Sequence, residues 1–197
     1  MSKLELYYPV KPIVNQYFGG NGDYYKSLGL NIIGHNGWDF QAFDGQPIYA
    51  AHDGVVTFTG EDGKGGLGVI IRTKEQFEDI NGDSRFYKSI YWHLKASSFN
   101  VKPGDEVKAG HLLAEADNTG LSTGSHLHFG LKPIYQGEAD TVWYNSESSN
   151  GYLGAVDPKP YFNGYEAKNA QSVITNLTTQ ISLLKKLVEL LKGFFKS

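Results

Sequence analysis

The sequence predicts a mainly β protein, an antiparallel β-sheet domain followed by a C-terminal amphipathic α-helix, and three observations carry that prediction. From about residue 4 to residue 162, short apolar or β-branched runs recur between clusters of Gly, Asp and Asn. Glycine makes up 24 of the 197 residues, which suits a compact, turn-dense sheet protein. After Asp157-Pro158-Lys159-Pro160 the texture changes, and apolar residues begin to fall at steps of three and four, the spacing of a helix.

The clearest strand candidates, in chain order, are Pro47-Ile48-Tyr49-Ala50-Ala51, Val55-Val56-Thr57-Phe58-Thr59, Leu67-Gly68-Val69-Ile70-Ile71-Arg72, Ser89-Ile90-Tyr91-Trp92-His93 and His111-Leu112-Leu113-Ala114-Glu115. Asp53-Gly54 and Asn81-Gly82 read as hairpin turns, because a tight primed turn needs positive φ and these pairs tolerate it. Residues 73–86 read as an elongated hairpin, either a wall of a substrate groove or a surface insertion, and residues 138–151 as a polar surface loop. From about residue 170, Ile174, Leu177, Ile181, Leu184, Val188, Leu191 and Phe195 form an apolar stripe. Leu183, Leu187, Leu190 and Phe194 widen it to an arc of roughly 160°, opposite Lys185, Lys186, Lys192 and Lys196. Two domains follow: residues 1–165, and a cationic helix over residues 166–197.

Composition narrows the function. With 40% apolar and 14% aromatic residues the chain has enough buriable surface to fold. Its net charge of -3 provides no basic field, so nucleic acid is not an expected partner. Residues 166–197 carry a net +3, leaving an acidic body. Cysteine is absent, which removes disulfides, thiolate nucleophiles and thiolate zinc sites, so any metal must be held by His and carboxylate. The N-terminus lacks the apolar stretch of a secretory signal, and no run approaches the roughly 20 apolar residues of a membrane span. The expectation is a protein made in the cytoplasm.

Four of the six histidines lie in three short segments. Gly34-His35-Asn36-Gly37-Trp38-Asp39-Phe40 offers imidazole plus carboxylate, a pair that suits zinc. In Gly124-Ser125-His126-Leu127-His128-Phe129-Gly130, a strand would place both imidazoles on one face and Leu127 on the other, toward the core. Tyr91-Trp92-His93-Leu94 ends an apolar strand in a histidine. Each segment alone is compatible with ordinary surface or core histidines. Together they supply three ligands for an ion and a spare pair for acid–base work.

With these segments in hand, the sequence resembles the lysostaphin-type zinc endopeptidases, which cut peptide bonds in bacterial cell walls. The likeness spans residues 10–162 and takes in Pro47-Ile48-Tyr49-Ala50-Ala51-His52-Asp53-Gly54-Val55-Val56, Val107-Lys108-Ala109-Gly110, Asn118-Thr119-Gly120-Leu121-Ser122-Thr123-Gly124 and Val156-Asp157-Pro158, all in the family's order. The resemblance implies the lysostaphin-type peptidase fold, a Zn2+ cofactor held by His35, Asp39 and His128, and catalysis by His93 and His126. It implies bacterial peptidoglycan peptides as substrate. Some relatives use a tyrosine before the first ligand, at a spacing that falls here on Gly29, with Tyr24 and Tyr25 nearby as substitutes. His52 and His111 match no family position and read as a turn or edge residue and a strand surface residue. Trp38, Trp92 and Trp143 are candidates to line a groove.

A wall hydrolase with a cationic amphipathic helix and no leader resembles a phage lysin, which reaches the wall after release. The tail itself has three readings: contact with a bacterial membrane, self-association as a coiled coil, or docking on its own domain. Two other functions compete with the enzyme: an inactive peptidoglycan-binding or hydrolase-activating member of the fold, and a protein acting chiefly by membrane disruption. Inactive members lose ligands, whereas all five positions are filled here.

Overall fold

The computed structural model describes residues 2–136, 143–147, 149–162 and 181. The chain divides into two compact units, Met1–Asn163 and Gly164–Ser197. The amphipathic helix expected from residue 170 lies outside the described residues but for Ile181, which is exposed. The first unit is mainly β, as expected. Its strands are β1 (Val14–Gln16), β2 (Trp38–Gln41), β3 (Pro47–Tyr49), β4 (Gly54–Glu61), β5 (Leu67–Arg72), β6 (Phe77–Glu78), β7 (Ser84–Trp92), β8 (Glu106–Val107), β9 (Leu112–Glu115), β10 (His126–Gln136) and β11 (Trp143–Asn145), with one short helix, α1 (Gly22–Ser27).

The main sheet is antiparallel and runs β1-β2-β10-β7-β5-β4-β8, with β11 added to β10 and β6 to β7. β3 and β9 form a small second sheet. Strand alternation then does what a half-buried sheet requires. On the inner face, Phe40 of β2, Leu127, Phe129 and Leu131 of β10, Tyr87 and Tyr91 of β7, and Val69 and Ile71 of β5 are fully buried. They share one core with Ile48 of β3 and Leu113 and Ala114 of β9. Aromatic rings finish it: Tyr8 stacks on Phe162 at 4.4 Å, and Phe162 meets Phe129 at 5.6 Å.

Two turn expectations change. Asp53-Gly54 is no hairpin, because β3 pairs with β9 while β4 pairs with β5 and β8. The glycine there serves close approach instead, since a Cβ would stand 2.3 Å from the Arg72 carbonyl oxygen. Asn81-Gly82 does join a hairpin, β6 to β7, but only Gly82 takes a positive φ, 89°, and its N–H closes on the Asp79 carbonyl at 3.1 Å. Residues 138–151, expected as loop throughout, contain β11.

His52 sits in the bend between β3 and β4, as expected of a turn residue, but is buried, at 2% exposure. Its Nδ1–H donates to the Asp53 carbonyl at 2.9 Å and its Nε2 pairs with Ser89 Oγ at 2.8 Å. Ser89 continues to the Tyr91 hydroxyl at 3.1 Å, so the imidazole belongs to a polar network within the core. His111 is exposed just before β9.

Candidate metal centre and cleft

The outer face of the main sheet carries the chemistry. His128 of β10 lies opposite Asp39 of β2 on one side and Trp92 of β7 on the other, and His126 lies opposite Gln41. His35 precedes β2 on a segment tied down at both backbone groups: its N–H donates to the Gly20 carbonyl at 2.9 Å and its carbonyl accepts from Gly19 N–H at 2.8 Å. Gly37 lets that segment cross β10, because a Cβ there would meet the Phe129 carbonyl oxygen at 2.4 Å and His128 Cε1 at 2.8 Å.

Three donor atoms consequently meet at one point. His35 Nε2 is 2.9 Å from His128 Nδ1, His128 Nδ1 is 3.0 Å from Asp39 Oδ1, and His35 Nε2 is 3.1 Å from Asp39 Oδ1. The His35 ring is oriented from behind, its Nδ1–H donating to the Tyr17 carbonyl at 3.3 Å, which leaves the lone pair on Nε2. Burial opposes the charge on Asp39, but His128 and His35 beside it hold its carboxyl well below the usual carboxylate range. Burial also lowers His128, against the pull of Asp39, which favours the neutral imidazole. Two ring nitrogens and a carboxylate oxygen converging this closely need a proton or a cation between them, and the three atoms form a group that could hold a metal ion. The triangle is close to the spacing of about 3.3 Å between ligands set about 2.0–2.1 Å from a tetrahedral ion, and nitrogen with carboxylate oxygen is a donor set that zinc accepts.

His93 and His126 stand beside this group, their rings 4.5 Å apart. His126 Nε2 is 3.6 Å from Asp39 Oδ1. Both rings give their Nδ1–H to a backbone carbonyl, His93 to Thr119 at 2.6 Å and His126 to Gly124 at 2.7 Å. Each therefore keeps Nε2 clear of that bond. His93 is the end residue beyond β7 and takes φ +64°, a left-handed conformation that re-aims its side chain. Burial pushes His93 down to about 4 despite the opposing Thr119 carbonyl, so it is neutral near pH 7.

All five residues named from the sequence line a single cleft of about 470 Å³. Trp92 lines it too, whereas Trp38 is 5% exposed in the core with its indole N–H on Asp157 Oδ1 at 3.0 Å. The side chain of Trp143 lies outside the described residues. None of residues 73–86 borders the cleft, which leaves that hairpin as a surface element. Gly29 offers no side chain, but Tyr25 does: its ring stacks on His35 at 5.8 Å and 6°, and its hydroxyl accepts from Gln16 Nε2 at 2.7 Å. Burial and the charge of Asp39 push the Tyr25 phenol up to about 12, which keeps its proton in place. Leu28, Leu30, Asn31, Ile32 and Leu153 also line the cleft, and no motif in the sequence marked them.

An antiparallel sheet presenting two histidines and a carboxylate around one point, with two more histidines beside them, is the architecture of a metallopeptidase. Residues 33–141, more than half of the chain, match the model of peptidase family M23. The chain is 32% identical over 168 residues to glycyl-glycine endopeptidase ALE-1 of Staphylococcus capitis, covering 83% of this chain and 39% of that one. It is 36% identical over 116 residues to lysostaphin of Staphylococcus simulans, covering 59% and 22%. Among solved structures it is similar to LytU, with TM-score 0.52 and 31% identity over 75% of this chain and 82% of that one. A zinc-containing peptidase from Vibrio cholerae gives TM-score 0.52 and 26% identity over 79% and 41%. The chain thus spans about a fifth to two-fifths of the curated relatives it matches. It belongs to peptidase family M23, and its domain is of the lysostaphin type.

Proposed function

We propose that this protein is an active zinc endopeptidase that hydrolyses peptide cross-links or bridges of bacterial peptidoglycan. The observation that carries the reading is the convergence of His35 Nε2, Asp39 Oδ1 and His128 Nδ1 within 2.9–3.1 Å of one another at the floor of an open cleft. Those three residues would hold the ion. Zinc bound there supplies Lewis acidity, activating water and polarising the scissile carbonyl.

The chain's own residues handle the protons. With both Nδ1 protons committed to carbonyls, the Nε2 atoms of His93 and His126 are the nitrogens available to accept a proton from the attacking water. The ring that accepts it becomes a cationic donor, able to stabilise the developing oxyanion and then protonate the leaving amine. Members of this fold that only bind wall would not need five filled positions. Peptidoglycan as substrate is supported by the named activity of relatives, among them the peptidoglycan DD-endopeptidase ShyB of Vibrio cholerae, 32% identical over 87% of this chain.

Residues 1–165 form the catalytic domain in this reading and residues 166–197 a cationic amphipathic helix that contacts bacterial membrane or self-associates. The protein works as a phage-type lysin, made in the cytoplasm and acting on the wall after release. Purified walls digested by wild type and His126→Ala, with and without chelator, test the enzyme by mass analysis of fragments. Cleavage that survives both chelator and substitution overturns it. Deleting residues 170–197 tests the tail: wall cleavage should persist while leakage of anionic vesicles is lost.

A further inference from the structure

Three hydrogen bonds hold His93 in place. Its N–H donates to the Gly65 carbonyl at 3.2 Å, its carbonyl accepts from Asp117 N–H at 2.8 Å, and its Nδ1–H donates to the Thr119 carbonyl at 2.6 Å. The first two fix the backbone. The third alone sets which way the ring turns and which nitrogen carries the proton.

The Thr119 carbonyl is itself held by the Thr119 side chain. Oγ1 donates to the Leu94 carbonyl at 2.8 Å and accepts from Leu67 N–H at 3.1 Å. One hydroxyl thereby ties the loop carrying Thr119 to the residue after His93 and to the first residue of β5. Beside it two backbones meet directly: a Cβ at Gly66 would lie 2.4 Å from Thr119 C, and one at Gly120 would lie 2.3 Å from Gly66 N. Leu121 N–H closes the same seam on the Lys64 carbonyl at 2.8 Å.

We infer that Thr119 is the positioning residue for His93, its hydroxyl fixing the carbonyl that sets the tautomer and aim of the catalytic imidazole. That role presupposes the reading of His93 as a catalytic partner. Valine in place of Thr119 keeps the shape and removes both bonds. The freed loop no longer holds the carbonyl at its present distance, and the ring gains a second tautomer with Nε2 protonated, which cannot accept a proton from water.

The test compares Thr119→Val, Thr119→Ala and Thr119→Ser in the full chain, with Thr57→Val as a hydroxyl deletion elsewhere. Imidazole ¹H–¹⁵N spectra of the metal-free and zinc-loaded proteins report the His93 Nδ1–H directly, and wall-digestion kinetics report its use. We expect the Nδ1–H signal to shift and lose exchange protection in the Val and Ala variants, with kcat reduced roughly ten- to a hundredfold and KM within about twofold. Thr119→Ser should restore both, and Thr57→Val should alter neither. Folded Val or Ala variants that keep the wild-type His93 signal overturn the inference. So does a kcat loss that serine fails to rescue. If wild type shows the signal but cleaves no wall, the enzymatic reading fails while the spectra still decide the role of Thr119.

Discussion

Trp92 lies against the bare backbone of Gly68 on the neighbouring strand: a Cβ at Gly68 would fall 1.7 Å from Trp92 Cε3 and 2.5 Å from the Tyr91 carbonyl oxygen. The indole is held edge-on by Phe58 at 5.9 Å and forms part of the cleft lining next to His93. Gly68→Ala should therefore destabilise the fold by about 3 kcal/mol, the cost of overpacking a site with no room to relax. The same substitution should raise KM by displacing the indole. Chemical denaturation and steady-state kinetics check the two effects, and an alanine variant of wild-type stability would mean that the tryptophan has space to move.

Metal and fold should be thermodynamically linked. Free zinc at about a hundred times its dissociation constant should stabilise the wild type by about 2.7 kcal/mol, because the unfolded chain cannot bring His35, Asp39 and His128 together. Asp39→Ala should fold yet lose that gain. Thermal melts with zinc and with chelator measure it, and a variant that still responds to zinc removes Asp39 from the ligand set.

Tyr25 lines the cleft with its phenol protonated and its ring stacked on His35. Tyr25→Phe should lower kcat about tenfold while leaving zinc affinity unchanged. Kinetics and metal titration separate these outcomes. An unaltered kcat assigns the ring to packing alone.

His52 should make the fold sensitive to acid. Burial lowers its folded value below the ordinary 6.5. The stability it allows is fully present above that ordinary value, and it is lost as pH falls toward the folded value, because there the unfolded chain binds the proton that the folded chain refuses. His52→Gln should be less stable at neutral pH by about 1–3 kcal/mol through weakened hydrogen bonds. It should nevertheless lose less stability than wild type between about pH 7.5 and about pH 5. Denaturant midpoints at the two values decide it, and parallel losses in both proteins contradict the assignment.

Period-two alternation made much of the sheet readable in advance. Leu127 between His126 and His128 is fully buried, as the strand pattern requires, and Leu67 to Arg72 forms β5 with the expected bounds. The five candidate residues that the fold gathers into one cleft stood out in the sequence because metal and acid–base chemistry draws on few residue types. What escaped depends on contacts between distant segments. Nothing local to Ala51-His52-Asp53 reveals that Ser89 and Tyr91 wait across the core to satisfy the imidazole. Nothing local to Trp38 distinguishes a buried indole from a groove wall, because its partner Asp157 lies 119 residues away. The Asp53-Gly54 misreading has the same origin: the dipeptide has turn chemistry, but the pairing of β3 with β9 decides what it does.

The alternation along β10 also guards the protein against assembling a defective centre. His126 and His128 share one face while Leu127 and Phe129 occupy the other, and Asp39 is brought to His128 by the same pairing that brings Phe40 to Leu127. A slip of one residue would bury both imidazoles and expose Leu127 and Phe129, so the misregistered sheet would lose its core together with its His–Asp cluster. Any molecule that has closed its interior has by that act set Asp39, His126 and His128 on one face of the sheet, so quality control of the fold extends to the placing of these three side chains.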